Sequence, residues 1–225
     1  MDRLHRTKML LGENGVARLR AATVMVVGVG AVGSFAVEAL ARSGVGHLIL
    51  VDADTVEESN INRQLFALDS TVGRAKVDVA AARIHDINPD TRVDALRMFF
   101  DADTKLECRP DYIIDAIDTV GSKVALARWA QDIGAPFIAS MGAARKTDMS
   151  RIHVAPLSKT SVCPLAARMR RLIRDAGLRD FDVVYSTEAA APCTAAGRAF
   201  GSLITVTGAF GLTLANHVIK NLTDS

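Results

Sequence analysis

Apolar positions along this chain come in blocks. Short apolar runs recur at 23–28, 47–52, 111–117 and 136–141, each ended or followed by a glycine or an acid. Runs of this length, rich in Val and Ile, read as strands buried on both faces. Between them lie stretches with helical spacing, at 31–43 (closed by Gly44), 73–87 and 122–133, and one further strand is expected at 92–98. Strand and helix taking turns predicts an α/β fold: a Rossmann-like, doubly wound, largely parallel sheet. Residues 1–20 read as an amphipathic lead-in helix, with Leu10, Leu11, Val16 and Leu19 as its apolar contacts.

The rhythm changes after Gly142. Arg151 to Ala155 alternates as a strand with one exposed face does, and Phe181 to Tyr185 reads as another strand. Pro164 suits the first turn of a helix. Leu165, Met169, Leu172, Ile173 and Ala176 form its apolar stripe, and Arg168, Arg170, Arg171 and Arg174 crowd the other face. This part reads as a C-terminal, substrate-facing extension. Residues 199–219 carry no charge and are long enough to cross a bilayer. Their Gly, Ser, Thr, Asn and His content favours a helix or strand–helix in the core, so no membrane partner is expected.

Composition narrows the class. The 225 residues are 49% hydrophobic, which suits a single α/β domain over 1–225 with a large core. A net charge of +2 gives no global field that announces nucleic acid. At 5% aromatic residues, a stacking platform for bases is not expected. Three cysteines (Cys108, Cys163 and Cys193) lack a disulfide framework's spacing and suit a reducing cytoplasm. The first residues lack the apolar core of a signal peptide.

The chemistry gathers where strands end. The first run breaks into Gly28-x-Gly30-x-x-Gly33 and then a helix. Gly28 permits the tight turn, Gly30 lets backbone approach phosphate, and Gly33 lets helix and strand pack closely. The helix start offers free N–H groups to an anion. Asp52 ends the second strand about 20 residues on, where a ribose-binding acid belongs. NAD and ATP are equally served so far. The polar loop 52–64 then favours a triphosphate, with Arg63 as a bidentate clamp. Asn60 and Asn62 can donate to phosphate or hold the loop by Asx turns. Lys76 opens the next helix, where a cation opposes the dipole, so its placement suggests an anionic ligand; the bland alternative is a solvated surface lysine. Asp118 ends another strand and faces the same crevice. It either binds Mg²⁺ beside phosphate or caps the helix from Ser122. Asp115 reads as structural.

Together these residues resemble the ubiquitin-activating-enzyme-like adenylyltransferases. The matching pattern is the glycine turn, Asp52-x-Asp54, Ser59-Asn60-x-Asn62-Arg63-Gln64, Val72-Gly73-x-x-Lys76 and Asp115-x-x-Asp118. Within that superfamily the chain is similar to the tRNA threonylcarbamoyladenosine dehydratases. The segments Arg6-Thr7-Lys8-Met9-Leu10-Leu11-Gly12, Lys159-Thr160-Ser161-Val162-Cys163-Pro164-Leu165-Ala166, Tyr185-Ser186-Thr187-Glu188 and the Phe200-Gly201-Ser202 tail carry that likeness.

The resemblance implies an ATP-binding half, 1–142, and a substrate and dimer half, 143–225. It implies ATP held by Gly28, Gly30, Gly33, Asp52 (ribose), Asp54, Asn60, Asn62, Arg63, Gln64 and Lys76, and Mg²⁺ held by Asp118. Arg6 matches an arginine lent across a homodimer, and with Arg63, Lys76 and Asp118 it completes the implied catalytic set. The implied substrate is threonylcarbamoyladenosine beside a tRNA anticodon, whose carboxylate is adenylated before ring closure. A cysteine-desulfurase or sulfur-acceptor partner is a further implication. The chain lacks the paired Cys-x-x-Cys of many relatives, so no zinc is expected. Cys193 receives no catalytic role, and Ala196-Gly197-Arg198-Ala199 stands where some dehydratases carry a cysteine. The arginine helix is the candidate tRNA contact, extended by Arg145, Lys146 and Lys159. The rival reading is activation of the C-terminal glycine of a ubiquitin-like sulfur carrier. A silent nucleotide-binding partner and a dehydrogenase fit less well.

Overall fold

The computed structural model describes residues 2–192 and 200–224. Seven strands form one sheet: β1 (Thr23–Val27), β2 (His47–Val51), β3 (Arg92–Leu96), β4 (Tyr112–Asp115), β5 (Phe137–Ser140), β6 (Ile152–Pro156) and β7 (Asp182–Ser186). Their order is β3-β2-β1-β4-β5-β7-β6. All neighbours are parallel except β6, which runs antiparallel to β7. The order reverses between β1 and β4, so a crevice opens there at the carboxyl ends, where such sheets hold ligands. This is the doubly wound α/β architecture expected from the alternation of runs.

The helices are α1 (His5–Ala21), α2 (Gly33–Ser43), α3 (Lys76–Ile87), α4 (Val120–Asp132), α5 (Pro164–Asp175) and α6 (Ile204–Asp224). One core lies under α2, α3 and α6 and includes Val24, Val26, Leu40, Leu48, Ile84, Phe210 and Leu214. On the other sheet face, Met25, Ile49, Ile113 and Leu126 form a second core. Met141, Ala166, Met169 and Tyr185 pack beneath α5 in a third. The uncharged tail is helical from Ile204 onward and sinks into the core. Its small residues permit a close crossing: a Cβ on Gly211 would lie 2.2 Å from the Val32 carbonyl oxygen. Among the described residues, no helix is long and apolar enough to cross a membrane.

The lead-in helix departs from expectation. Gly12 has φ 72° and ψ 172°, so α1 is two helical pieces folded at that glycine. Leu10 is 84% exposed and makes no core contact, whereas Val16 and Leu19 are buried and Leu11 packs on the core. A single helical stripe cannot serve both pieces once the axis bends. Arg145, Lys146 and Lys159 also part company: the Lys146 ammonium is buried and donates to the Glu188 carbonyl at 2.6 Å, while Arg145 lies 5.1 Å over the Phe200 ring.

Candidate active site

The glycine turn has the expected geometry. Gly28 has φ +90°, and a Cβ there would lie 2.7 Å from the Ala116 carbonyl oxygen. A Cβ on Gly33 would sit 1.8 Å from the Gly28 carbonyl oxygen, so the residue that opens α2 must be glycine. Gly30 differs: its nearest neighbour is Gln64 Nε2 at 3.7 Å, which is ordinary contact distance. Nothing in the packing demands glycine at 30, which leaves close approach of a ligand as its physical reason.

Asp52 is locked onto this turn. Its Oδ2 accepts from the Val29 N–H at 2.7 Å and its Oδ1 from the Asp54 N–H at 2.9 Å. Each oxygen keeps a lone pair for a ribose hydroxyl. Segment 54–56 lies against 73–76, with Val56 N–H donating to the Arg74 carbonyl (2.8 Å) and Lys76 N–H to the Asp54 carbonyl (3.0 Å). That pairing brings Lys76 to the crevice. It is the first residue of α3, 6% exposed, with Nζ 2.7 Å from Asp54 Oδ2. The solvated-lysine alternative is therefore wrong: a buried cation stands at a helix N-terminus, held by one exposed carboxylate.

The polar loop is built mainly by its own side chains. Asn60 is buried and its Oδ1 accepts from the Glu57 N–H at 3.2 Å, which makes it the loop's holder. Asn62 Nδ2 lies 3.4 Å from the Ser202 carbonyl and its Oδ1 accepts from Arg63. Arg63 NH1 donates to the Ser59 carbonyl (2.7 Å) and Asn62 Oδ1 (2.8 Å). Its Nε and NH2 have no hydrogen-bond partner among the described residues. Buried Ser34, which the sequence reading passed over, accepts from the Leu65 N–H at 3.1 Å and ties this loop to the glycine turn. A lone serine inside a helix carries no local signal of that tie.

Asp118 is exposed and accepts from the Thr119 hydroxyl at 3.3 Å. It does not cap a helix, because α4 starts at Val120 with Thr119 in the cap position. No cation among the described residues pairs with it. Beneath it, Asp115 and Lys123 form a fully buried ion pair, Nζ to Oδ2 2.9 Å. Asp115 Oδ1 accepts from the Ile117 N–H (3.0 Å) and Lys123 Nζ donates to the Ile117 carbonyl (3.1 Å). Both ends of the residue before Asp118 are thus clamped. Burial pushes the Asp115 carboxyl upward, against the pull of Lys123 and the Ile117 N–H.

The crevice therefore gathers the glycine turn, Asp52, Asp54, Gln64 and Lys76, and the β4 end brings Asp118 beside Gly28. Arg6 is not part of it. Arg6 follows Leu4, which packs against Gly44 at the end of α2, and Arg3 reaches the Ile87 carbonyl at the end of α3. Those helix ends lie at the opposite edge of the sheet. Among the described residues no group of three or more His, Cys, Asp or Glu side chains converges. Mg²⁺ commonly takes one or two carboxylates plus phosphate oxygens, and Asp118 fits that donor set. Cys163 is buried and Cys108 half-buried. Cys193 and the stretch 196–199 lie outside the described residues.

The chain as a whole resembles known proteins over most of its length. The chain is 46% identical over 192 residues to a tRNA threonylcarbamoyladenosine dehydratase of Bacillus subtilis, covering 84% of this chain and 76% of the relative. The crystal structure of the Escherichia coli tRNA N6-threonylcarbamoyladenosine dehydratase with AMP superposes with a TM-score of 0.93 at 38% identity, covering 99% of this chain and 94% of that one. The same enzyme in complex with ATP gives 0.92 at 37% identity, with the same coverage. The ThiF family pattern matches residues 3–225, nearly end to end, and by that match and these relatives the chain belongs to the ThiF family.

Proposed function

We propose that this chain is an ATP-dependent tRNA threonylcarbamoyladenosine dehydratase that acts as a homodimer in the cytoplasm. One observation carries the reading. A buried lysine, a ribose-type acid and the glycine turn share one sheet end, in a chain similar over nearly its whole length to a dehydratase solved with AMP.

A carboxylate acylates poorly because oxide is a poor leaving group. In the proposed first step a carboxylate oxygen of threonylcarbamoyladenosine attacks the α-phosphorus of ATP. The bond to pyrophosphate breaks, and an acyl-adenylate forms. Asp52 holds the ribose and the 28–33 turn cradles phosphate. Lys76 exchanges Asp54 for a phosphate oxygen, and the open edge of Arg63 takes a second one. Arg6 of the partner subunit adds a further positive charge, and these fixed charges stabilise the one that develops at phosphorus. Asp118 would hold Mg²⁺, which supplies charge neutralisation at the phosphates. A nucleophilic atom of the same substrate then attacks the acyl carbon and gives up its proton, and AMP leaves. That step is intramolecular and gains from proximity, so no protein nucleophile is required.

The test is mass spectrometry of tRNA nucleosides after incubation with ATP and Mg²⁺. The expected result is a product one water lighter than threonylcarbamoyladenosine, with one AMP released per product. AMP formation that occurs only when a ubiquitin-like carrier protein is added would contradict the reading in favour of carrier activation.

A further inference from the structure

We propose that the outer face of α5, with the neighbouring end of α4, is a phosphate rail that docks the tRNA backbone while the substrate base occupies the crevice. This rests on the tRNA reading above. The helix is strongly two-sided. Ala166, Met169 and Ile173 are buried, whereas Arg168, Arg171 and Arg174 are exposed at spacings of three residues and so share one face. Arg170, though part of the same run, is turned away: its guanidinium donates to the Thr160 carbonyl at 3.0 Å and to the Thr160 hydroxyl.

Two neighbours extend the face. Arg128 on α4 reaches the Ala176 carbonyl at 3.4 Å. Arg179 is fixed through its backbone to Gln131, with bonds of 2.9 and 3.0 Å. Five exposed arginines thus stand together. The acids beside them are Asp132, Asp175 and Asp180. Asp180 already accepts from the Ser158 N–H at 3.1 Å, and Asp175 lies 3.7 Å from Arg174. Arg168 and Arg171 have no carboxylate partner among the described residues.

The rail also points the right way. The Cys163 thiol, just before α5, lies 3.5 Å from where a Cβ on Gly142 would be. Gly142 follows β5, so α5 begins at the carboxyl edge that holds the crevice and descends from there. A base in the crevice leaves its flanking phosphates at that edge. Unpaired arginines on a rigid helix complement them, since phosphate contacts position nucleic acid and carry most of its salt-dependent affinity. A small acidic carrier protein would place one chain terminus in the crevice and has no phosphates to lay along the rail.

The experiment compares wild type, R168E/R171E and the remote charge reversal K105E/R109E. tRNA binding is measured at several salt concentrations, together with steady-state dehydration. ATP binding by each protein certifies its fold. The rail predicts that R168E/R171E raises KM for tRNA about ten-fold or more, with little change in kcat. It also predicts that the slope of log affinity against log salt falls by about 1.5, as losing two phosphate contacts requires. K105E/R109E stays near wild type. If wild type converts tRNA and R168E/R171E matches it in KM and salt slope, the rail is overturned and the dehydratase reading stands. If wild type neither binds nor converts tRNA, that reading falls and the rail with it.

Discussion

Lys76 is where sequence and site meet most directly. A lysine at the first position of a helix opposes the dipole, and here it is also 6% exposed, with its ammonium paired to Asp54. Such a placement makes sense for a cation that waits for phosphate. Replacing Lys76 with Ala is expected to lower the adenylation rate about 100- to 1,000-fold, read as AMP formation with saturating tRNA. The Asp115–Lys123 pair works differently, since it is fully buried and clamps Ile117 beneath Asp118. Lys123→Met leaves a buried carboxylate unpaired and is expected to cost about 3–5 kcal/mol in urea unfolding. The double variant Lys123→Met with Asp115→Leu should recover most of that stability. With the clamp gone it should still need more Mg²⁺ for half-maximal rate, a result that a purely structural pair would not give. The pairing itself was beyond a sequence reading. Asp115 ends a strand and Lys123 sits in the following helix, and neither position reveals that both are fully buried.

At the scale of elements, the apolar runs set strand positions to within about two residues, because a strand buried on both faces has no polar position to blur its ends. The glycine turn was equally legible, since Gly28 and Gly33 answer local steric demands at a strand-to-helix turn. Its three glycines should nevertheless behave differently. Gly33→Ala forces a Cβ against the Gly28 carbonyl and is expected to destabilise the fold by about 3 kcal/mol. Gly30→Ala meets nothing closer than Gln64 and should melt like wild type, yet bind ATP more weakly in calorimetry. What was not legible was the break in α1. A glycine within a helical stripe reads as tolerated, and only the packing of both pieces against the body of the protein selects φ 72° at Gly12.

The α2–α3 seam gives a pH test. Partial burial alone would push the Glu38 carboxyl up, but Arg83 and Arg42 outweigh it and hold the group below its ordinary range. A depressed carboxylate adds stability above its unfolded value and loses it as pH falls through its folded value. Glu38→Gln should therefore be less stable than wild type above about pH 5, with the difference closing below it, in urea melts taken across that range.

For the molecule as a whole, the sheet divides the labour. Its carboxyl edge gathers the residues proposed to hold nucleotide, and its opposite edge carries Arg6, which cannot serve the crevice of its own chain. Exposed apolar residues on α1 and α6, among them Met9, Leu10, Ile204 and Leu212, suit burial by a second copy. In the proposed dimer, Arg6→Ala and Lys76→Ala are each expected to be strongly impaired alone. Mixed and allowed to exchange subunits in equal amounts, they should regain about a quarter of wild-type activity, since half the dimers are mixed and each holds one complete site. No recovery despite proven exchange would remove Arg6 from the catalytic set. The proposed dimer and lent arginine rest on resemblance, because a single chain's pattern does not say what covers its exposed apolar positions.

In the proposed mechanism the substrate's carboxylate is joined to AMP. Labelling that carboxylate with heavy oxygen and recovering the nucleotide product tests it most directly. Attack on the α-phosphorus followed by loss of AMP leaves one labelled oxygen on AMP and none on pyrophosphate. Unlabelled AMP, or label found in inorganic phosphate alongside ADP, would contradict the account.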